Sequence, residues 1–167
     1  VRNTKRIILI VMILLFCALM QGAFLSSFTF CHAKPDLVLL FIVMLGLFNG
    51  VEEGMIYGLI AGLILAPLSS APAGLLTGTY CLAGFCAGVT KEKIYPDNFV
   101  VPLITAILLS FLSAIMLAGG GLATGVLRSI YPVSTTLLPF LIINSLCAIP
   151  MGFLVRSKWI TSRRPLE

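Results

Sequence analysis

Apolar residues along this chain fall in long runs, without the strict alternation of strands or the seven-residue repeat of coiled coils. The first run opens at Ile7 and continues to Phe30, interrupted only by Gln21 and small hydroxyl residues; the others lie at 36–49, 52–68, 73–90, 99–118 and 134–155. Chemical breaks separate them: Lys34-Pro35, Asn49-Gly50, the APLSSAP turn from Ala66 to Pro72, KEKIYPDN from Lys91 to Asn98, and the glycine triplet Gly119 to Gly121. About 20 apolar residues, rising about 1.5 Å each, cross the hydrocarbon of a bilayer. The pattern therefore predicts an all-α integral membrane protein, one polytopic domain over residues 1–167 with six transmembrane helices. The second run, 36–49, reaches only about 21 Å against a hydrocarbon core of about 30 Å. Segments two and three thus keep two readings, full crossings or a re-entrant pair buried against protein.

Composition agrees with the runs. Of 167 residues 59% are hydrophobic and 10% charged, and mean hydropathy is +1.11, too little polar surface to coat a soluble core. The formal net charge of +5 does not indicate nucleic acid, because the basic residues flank apolar runs and do not line a soluble face. Nine of the 11 Lys and Arg fall at the two termini or in the Lys91 loop, with only Lys34 and Arg128 in the alternate loops. The positive-inside rule then puts both termini in the cytoplasm and the loops around 31–35, 67–72 and 119–133 outside. Arg2 to Arg6 before an apolar run resembles a signal peptide, but the run is too long and closes on no small-x-small site, which predicts an uncleaved anchor helix. Trp159 among basic residues suits a headgroup-level anchor.

Within this frame, GVEEGMIYGLIAGLIL places Gly50, Gly54, Gly58 and Gly62 four residues apart, a step that drifts only about 40° per repeat on a helix. The stripe lets another backbone approach closely, either inside the fold or from a partner's helix. The next segment repeats the device with Gly74, Gly78, Gly84 and Gly88, making segments three and four expected neighbours. Glu52 and Glu53 point away from the stripe. They fit the dipole at a helix start near the cytoplasmic headgroups, or alternatively a polar cavity or basic partner. Asp36 after Pro35 suits a first helical turn in the same way. Asn144, between Pro139 and Pro150, calls for a hydrogen bond to another helix or to carbonyls freed by the prolines. LATGVLRSIY has the pattern of a short interfacial helix with Arg128 towards headgroups or a partner.

No enzyme is indicated. Adjacent glutamates also mark the EExxxR motif of CAAX-type intramembrane proteases, but Tyr57 stands where the Arg belongs and the sole histidine, His32, falls in an outside loop. A serine dyad lacks an intramembrane His. The five cysteines show no CxxC spacing and read as small hydrophobes, and Cys31-His32 lacks further metal ligands. No catalytic residue, metal or cofactor is assigned.

The order QGAFLSSF, PDLVLL, GVEEGMIYGLIAGLIL, SSAPAGLLTGTYCLAGFCAG and LPFLIINSLCAIPMGF resembles the rod shape-determining protein MreD family over nearly the whole chain. Its markers here are Pro35-Asp36, Gly50, Gly54, Gly58, Gly62, Gly84 and Asn144. Two departures stand out: Ala66 occupies a position where family members typically carry Asp, so a role tied to that acid is not carried over, and the pair Glu52-Glu53 is atypical. The resemblance implies a non-enzymatic scaffold of the cell-elongation complex in the bacterial inner membrane. Its implied partner is MreC, and through it MreB, RodA and a class B penicillin-binding protein. It also implies a bundle similar to the S components of vitamin transporters, which supplies the alternative, a substrate-binding transporter subunit. Such a binder needs polar groups converging on a cavity. The spans offer Asn144, Ser110, Ser113, Thr105 and Tyr80, which the sequence does not bring to one point.

Overall fold

The computed structural model describes residues 2–23, 35–69, 71–93, 100–123 and 133–155. The Cys31-His32 pair, the end of the first apolar run, most of the Lys91 to Asn98 loop, Arg128 with all of its expected interfacial helix except Leu122 and Ala123, and Trp159 lie outside the described residues. The described chain is helical: α1 Arg2–Ala23, α2 Leu37–Asn49, α3 Val51–Leu65 with a 3-10 turn Ala66–Leu68, α4 Ala73–Lys93, α5 Val100–Ala123 and α6 Val133–Val155. Four of these helices, α1, α3 with its turn, α4 and α5, are long and apolar enough to cross a membrane, and α2 and the Leu138–Phe153 part of α6 are shorter apolar helices.

The shortest helix sits at the centre. α2 is apolar on every side, LVLLFIVMLGLFN, so its sequence alone does not choose between lipid and protein. Its neighbours decide: α2 touches all five other helices, and each residue from Val38 to Leu47 is buried. Its 13 residues span about 20 Å. Wrapped in protein, α2 can satisfy its backbone internally and at its ends without needing to reach both faces of a bilayer.

α3 and α4 form the most extensive pair and both lean on α2, whereas α1 rests chiefly on α2 and α3, and α5 and α6 pair on the other side. Between α2 and α3 the chain turns at Gly50, whose φ of 108° favours glycine. Gly50 therefore belongs to the turn and not to the helical stripe that the four-residue spacing suggests.

The glycine triplet does not end α5. The helix runs through Gly119 to Gly121 and on to Ala123, and Gly120 takes the Leu75 side chain against its bare backbone. Glycine costs a helix only about 1 kcal/mol per residue relative to alanine. In an apolar medium no water replaces the hydrogen bonds that a break would free. Likewise α6 continues through Pro139 and Pro150.

Candidate functional site: a buried polar network at the head of the central helix

Asp36 lies immediately before α2 and caps it: its Oδ1 accepts the Leu39 N–H at 2.9 Å. Such a cap satisfies one of the four N–H groups that a helix start leaves open. The residue is 7% exposed, and its other partners come from distant helices. Gln21 of α1 donates from Nε2 to Oδ1 at 3.3 Å, and the Tyr80 hydroxyl of α4 donates to Oδ2 at 2.7 Å. The Asp36 N–H in turn donates to Asn144 Oδ1 of α6 at 2.9 Å, and Asn144 Nδ2 donates to Ser110 Oγ of α5 at 3.1 Å.

The donor and acceptor roles are fixed by chemistry. Gln21 Oε1 accepts the Val38 N–H at 3.4 Å, so its amide nitrogen must face the carboxylate. Asn144 Oδ1 faces a backbone N–H, so its nitrogen must face Ser110. Around Asp36 every partner is a neutral donor, and the first turn of α2 adds its own N–H groups and positive dipole end. This environment suits a carboxylate far better than an unpaired buried acid would be suited by hydrocarbon.

Polar side chains that the sequence leaves scattered are here brought together. Asn144, Ser110 and Tyr80 meet through Asp36, which corrects the expectation that they do not converge. Thr105 and Ser113 bond carbonyls of their own helix, those of Val101 and Ser110, and stay outside the network. Asn144 bonds two other elements and not the proline-freed carbonyls. Asp36 is more than a first-turn acid, joining four other helices to the head of α2. Its partners Gln21 and Tyr80 do not follow from any motif. The signal for Gln21 is that it is the lone carboxamide of the first apolar run, because a polar side chain in a membrane span usually has a partner.

A second polar contact marks the opposite end of α2. Arg6 of α1 makes a two-pronged pair with Glu53 of α3, Nη1 to Oε1 at 3.0 Å and Nη2 to Oε2, both side chains about a quarter exposed or less. Fork-to-fork geometry suits guanidinium and carboxylate. Glu52, by contrast, is exposed. The two adjacent acids thus differ, one engaged within the fold and one facing out.

The glycines divide as well. A Cβ on Gly54 would strike the Gly84 carbonyl, and one on Gly84 the Gly54 carbonyl. One on Gly58 would lie 2.5 Å from the Tyr80 oxygen, and Cβ atoms on Gly62 and Gly88 would collide with Thr77 and Val51. Gly46 of α2, four residues before Gly50 and outside the stripe read for α3, joins this seam, 2.6 Å from the Gly84 oxygen by the same measure. Gly74 and Gly78 are exposed, and a Cβ there would meet nothing within 4 Å. Among the described residues no group of three His, Cys, Asp or Glu side chains is placed to hold a metal ion.

No curated protein and no solved structure matches this chain. A family model does, over residues 2–158 of the 167. With its apolar helices, its glycine seam and its capped central helix, the chain belongs to the rod shape-determining protein MreD family.

Proposed function

We propose that this protein is a non-enzymatic scaffold of the cell-elongation complex in the bacterial inner membrane. In this reading six helices form an S-component-like bundle with both termini in the cytoplasm, and MreC binds through its membrane helix. MreB, RodA and a class B penicillin-binding protein are then engaged indirectly, in support of peptidoglycan synthesis. The family supports the shape-determining role.

The observation that favours a scaffold over a solute binder is the interior itself. The polar side chains that would recognise a small molecule, Gln21, Asp36, Tyr80, Ser110 and Asn144, are bonded to one another, and α2, buried from Val38 to Leu47, lies between the surrounding helices. A binder presents such groups to a cavity.

The glycines that face outward suit a partner's helix, and those in the α3 seam do not, being filled by α4. Glu52 and Arg128 remain contact candidates for the same partners.

Depleting the protein in a rod-shaped host should round and widen the cells; unchanged width and shape would defeat the reading. Purified protein should also hold MreC through affinity capture from detergent-solubilised membranes. Gly78→Leu should weaken that capture at unchanged thermal stability, whereas a panel of vitamins should leave the melting temperature where it was.

A further inference from the structure

We propose that α1 is a releasable strap, lying across α2 and α3 and held there by one polar clasp near each end. The lower clasp is the Arg6 pair with Glu53 of α3; the upper is Gln21, whose carboxamide spans the Asp36 carboxylate and the Val38 N–H at the head of α2. The two clasps stand 15 residues apart on α1, about 22 Å along the helix.

Between them the contact is a narrow stripe. Ile10, Leu14, Cys17 and Ala18 face inward, at the spacing of one helical face, while Ile7, Ile8, Met12, Leu15, Phe16 and Leu19 are exposed. In a bilayer an apolar side chain gains little hydrophobic energy by leaving lipid for protein, because acyl chains are as apolar as leucine. What remains is dispersion, which depends on close approach. α1 brings no glycine to its partners: Gly22 would have open space around a Cβ. The α3–α4 seam is the opposite case, with backbone against backbone at Gly54, Gly58, Gly84 and Gly88.

The two clasps also differ in exposure to conditions. The ion pair is partly exposed, the Arg6 and Glu53 side chains at 19% and 26%. Gln21 instead competes for a carboxylate already held by the Leu39 N–H and Tyr80, so its departure leaves Asp36 capped and bonded. Release at the upper end therefore strands no charge and frees only the Val38 N–H, and release at the lower end parts two ions that are already partly exposed. Undocking uncovers the sides of α2 and α3 on which α1 lies while leaving the glycine seam intact.

The test uses the full chain in lipid nanodiscs, in a cysteine-free background common to all arms, with spin labels at exposed positions. One pair, Leu19→Cys with Phe85→Cys, reads α1 against α4; the other, Ile56→Cys with Phe85→Cys, reads α3 against α4. Gln21→Leu and Glu53→Gln should each raise the undocked fraction of the first pair by roughly threefold, and together by roughly tenfold, as expected for independent interhelical hydrogen bonds of ordinary membrane strength. The second pair should not move. The proposal is overturned if the α1 distances stay as narrow in both single variants as in the parent, or if the two pairs broaden alike, which would mean general loosening. Should the double variant not fold, the two single variants decide between these outcomes.

Discussion

Two helix contacts in this protein use opposite means. α3 meets α4 through glycines, so that the Gly54 and Gly84 backbones touch and Gly58 and Gly62 lie on Tyr80 and Thr77. α1 meets α2 and α3 through larger side chains, Ile10, Leu14 and Cys17, with polar bonds near its two ends. In water both would be driven by apolar burial. In lipid that drive is nearly absent, and the contacts separate into one that is steric and one that is chemical. The steric contact tolerates no added carbon. The chemical contact tolerates added bulk on its lipid side and depends on a few donors and acceptors.

The largest effect should come from breaking the steric contact. Gly84→Leu forces a branched side chain into the Gly54 carbonyl and the Ile42 side chain, and overpacking of this kind costs about 1–3 kcal/mol or more. Loss of the folded protein from membranes, or a steep fall in thermal stability, is expected. Gly78→Leu on the same helix should change stability by less than about 0.5 kcal/mol, because nothing lies within 4 Å of its Cβ position. Equal effects of the two would abolish the distinction between seam and surface.

Next should come Asn144→Leu, which removes a buried bond to the Asp36 N–H and another to Ser110. Leaving a buried donor unsatisfied costs about 1–3 kcal/mol, measurable by chemical or thermal unfolding in detergent. Tyr80→Phe deletes one donor to Asp36 and keeps the ring; about 0.6–1.7 kcal/mol is expected from interhelical bonds in membranes. A Tyr80→Phe cost above that of Asn144→Leu would shift the weight of the network from α6 to α4.

The smallest effect belongs to the acidic pair. Glu53→Gln weakens a partly exposed ion pair and should cost about 0.2–1 kcal/mol, diminishing as salt rises, while Glu52→Gln should cost nothing measurable. Unfolding titrations of the two single variants at low and high salt check both statements. Should Glu52→Gln destabilise as much as Glu53→Gln, the distinction between an engaged and an outward-facing acid would be wrong.

How far the sequence reaches differs between these regions. The α3 stripe is legible because its glycines recur every four residues, and the pairing of α3 with α4 follows from a matching device across a short turn. The α4 face is only half legible. Its contact positions are Thr77, Tyr80, Gly84 and Gly88, spaced three or four residues apart, and Gly78 lies about 100° round from Thr77. A broad arc of glycines cannot reveal which part of it meets the neighbour, since that depends on the crossing of the two helices. Glu53 and Glu52 are adjacent acids in the sequence and separate only because α1 begins beside one of them. The glycine triplet misleads because in solution it would mark a break, whereas here α5 keeps its backbone bonds and offers Gly120 to Leu75.

What the sequence determined by itself is the medium and the set of helices. Long apolar runs, few charges and basic residues at the edges fix an all-helical protein in a membrane, because backbone groups without water must bond within their own segment. The close-contact glycines of α3 also follow from spacing alone. Only the tertiary structure decided that the short second helix is the core, since an all-apolar helix is equally suited to lipid and to protein. It also decided that Asp36 gathers Gln21, Tyr80, Asn144 and, through it, Ser110. The bonded pairs among them lie up to 108 positions apart in the chain. No local pattern joins them, and what brings them together is that a buried polar group in hydrocarbon is costly without a partner, which the packed helices supply here although they leave Thr77 Oγ1 without one.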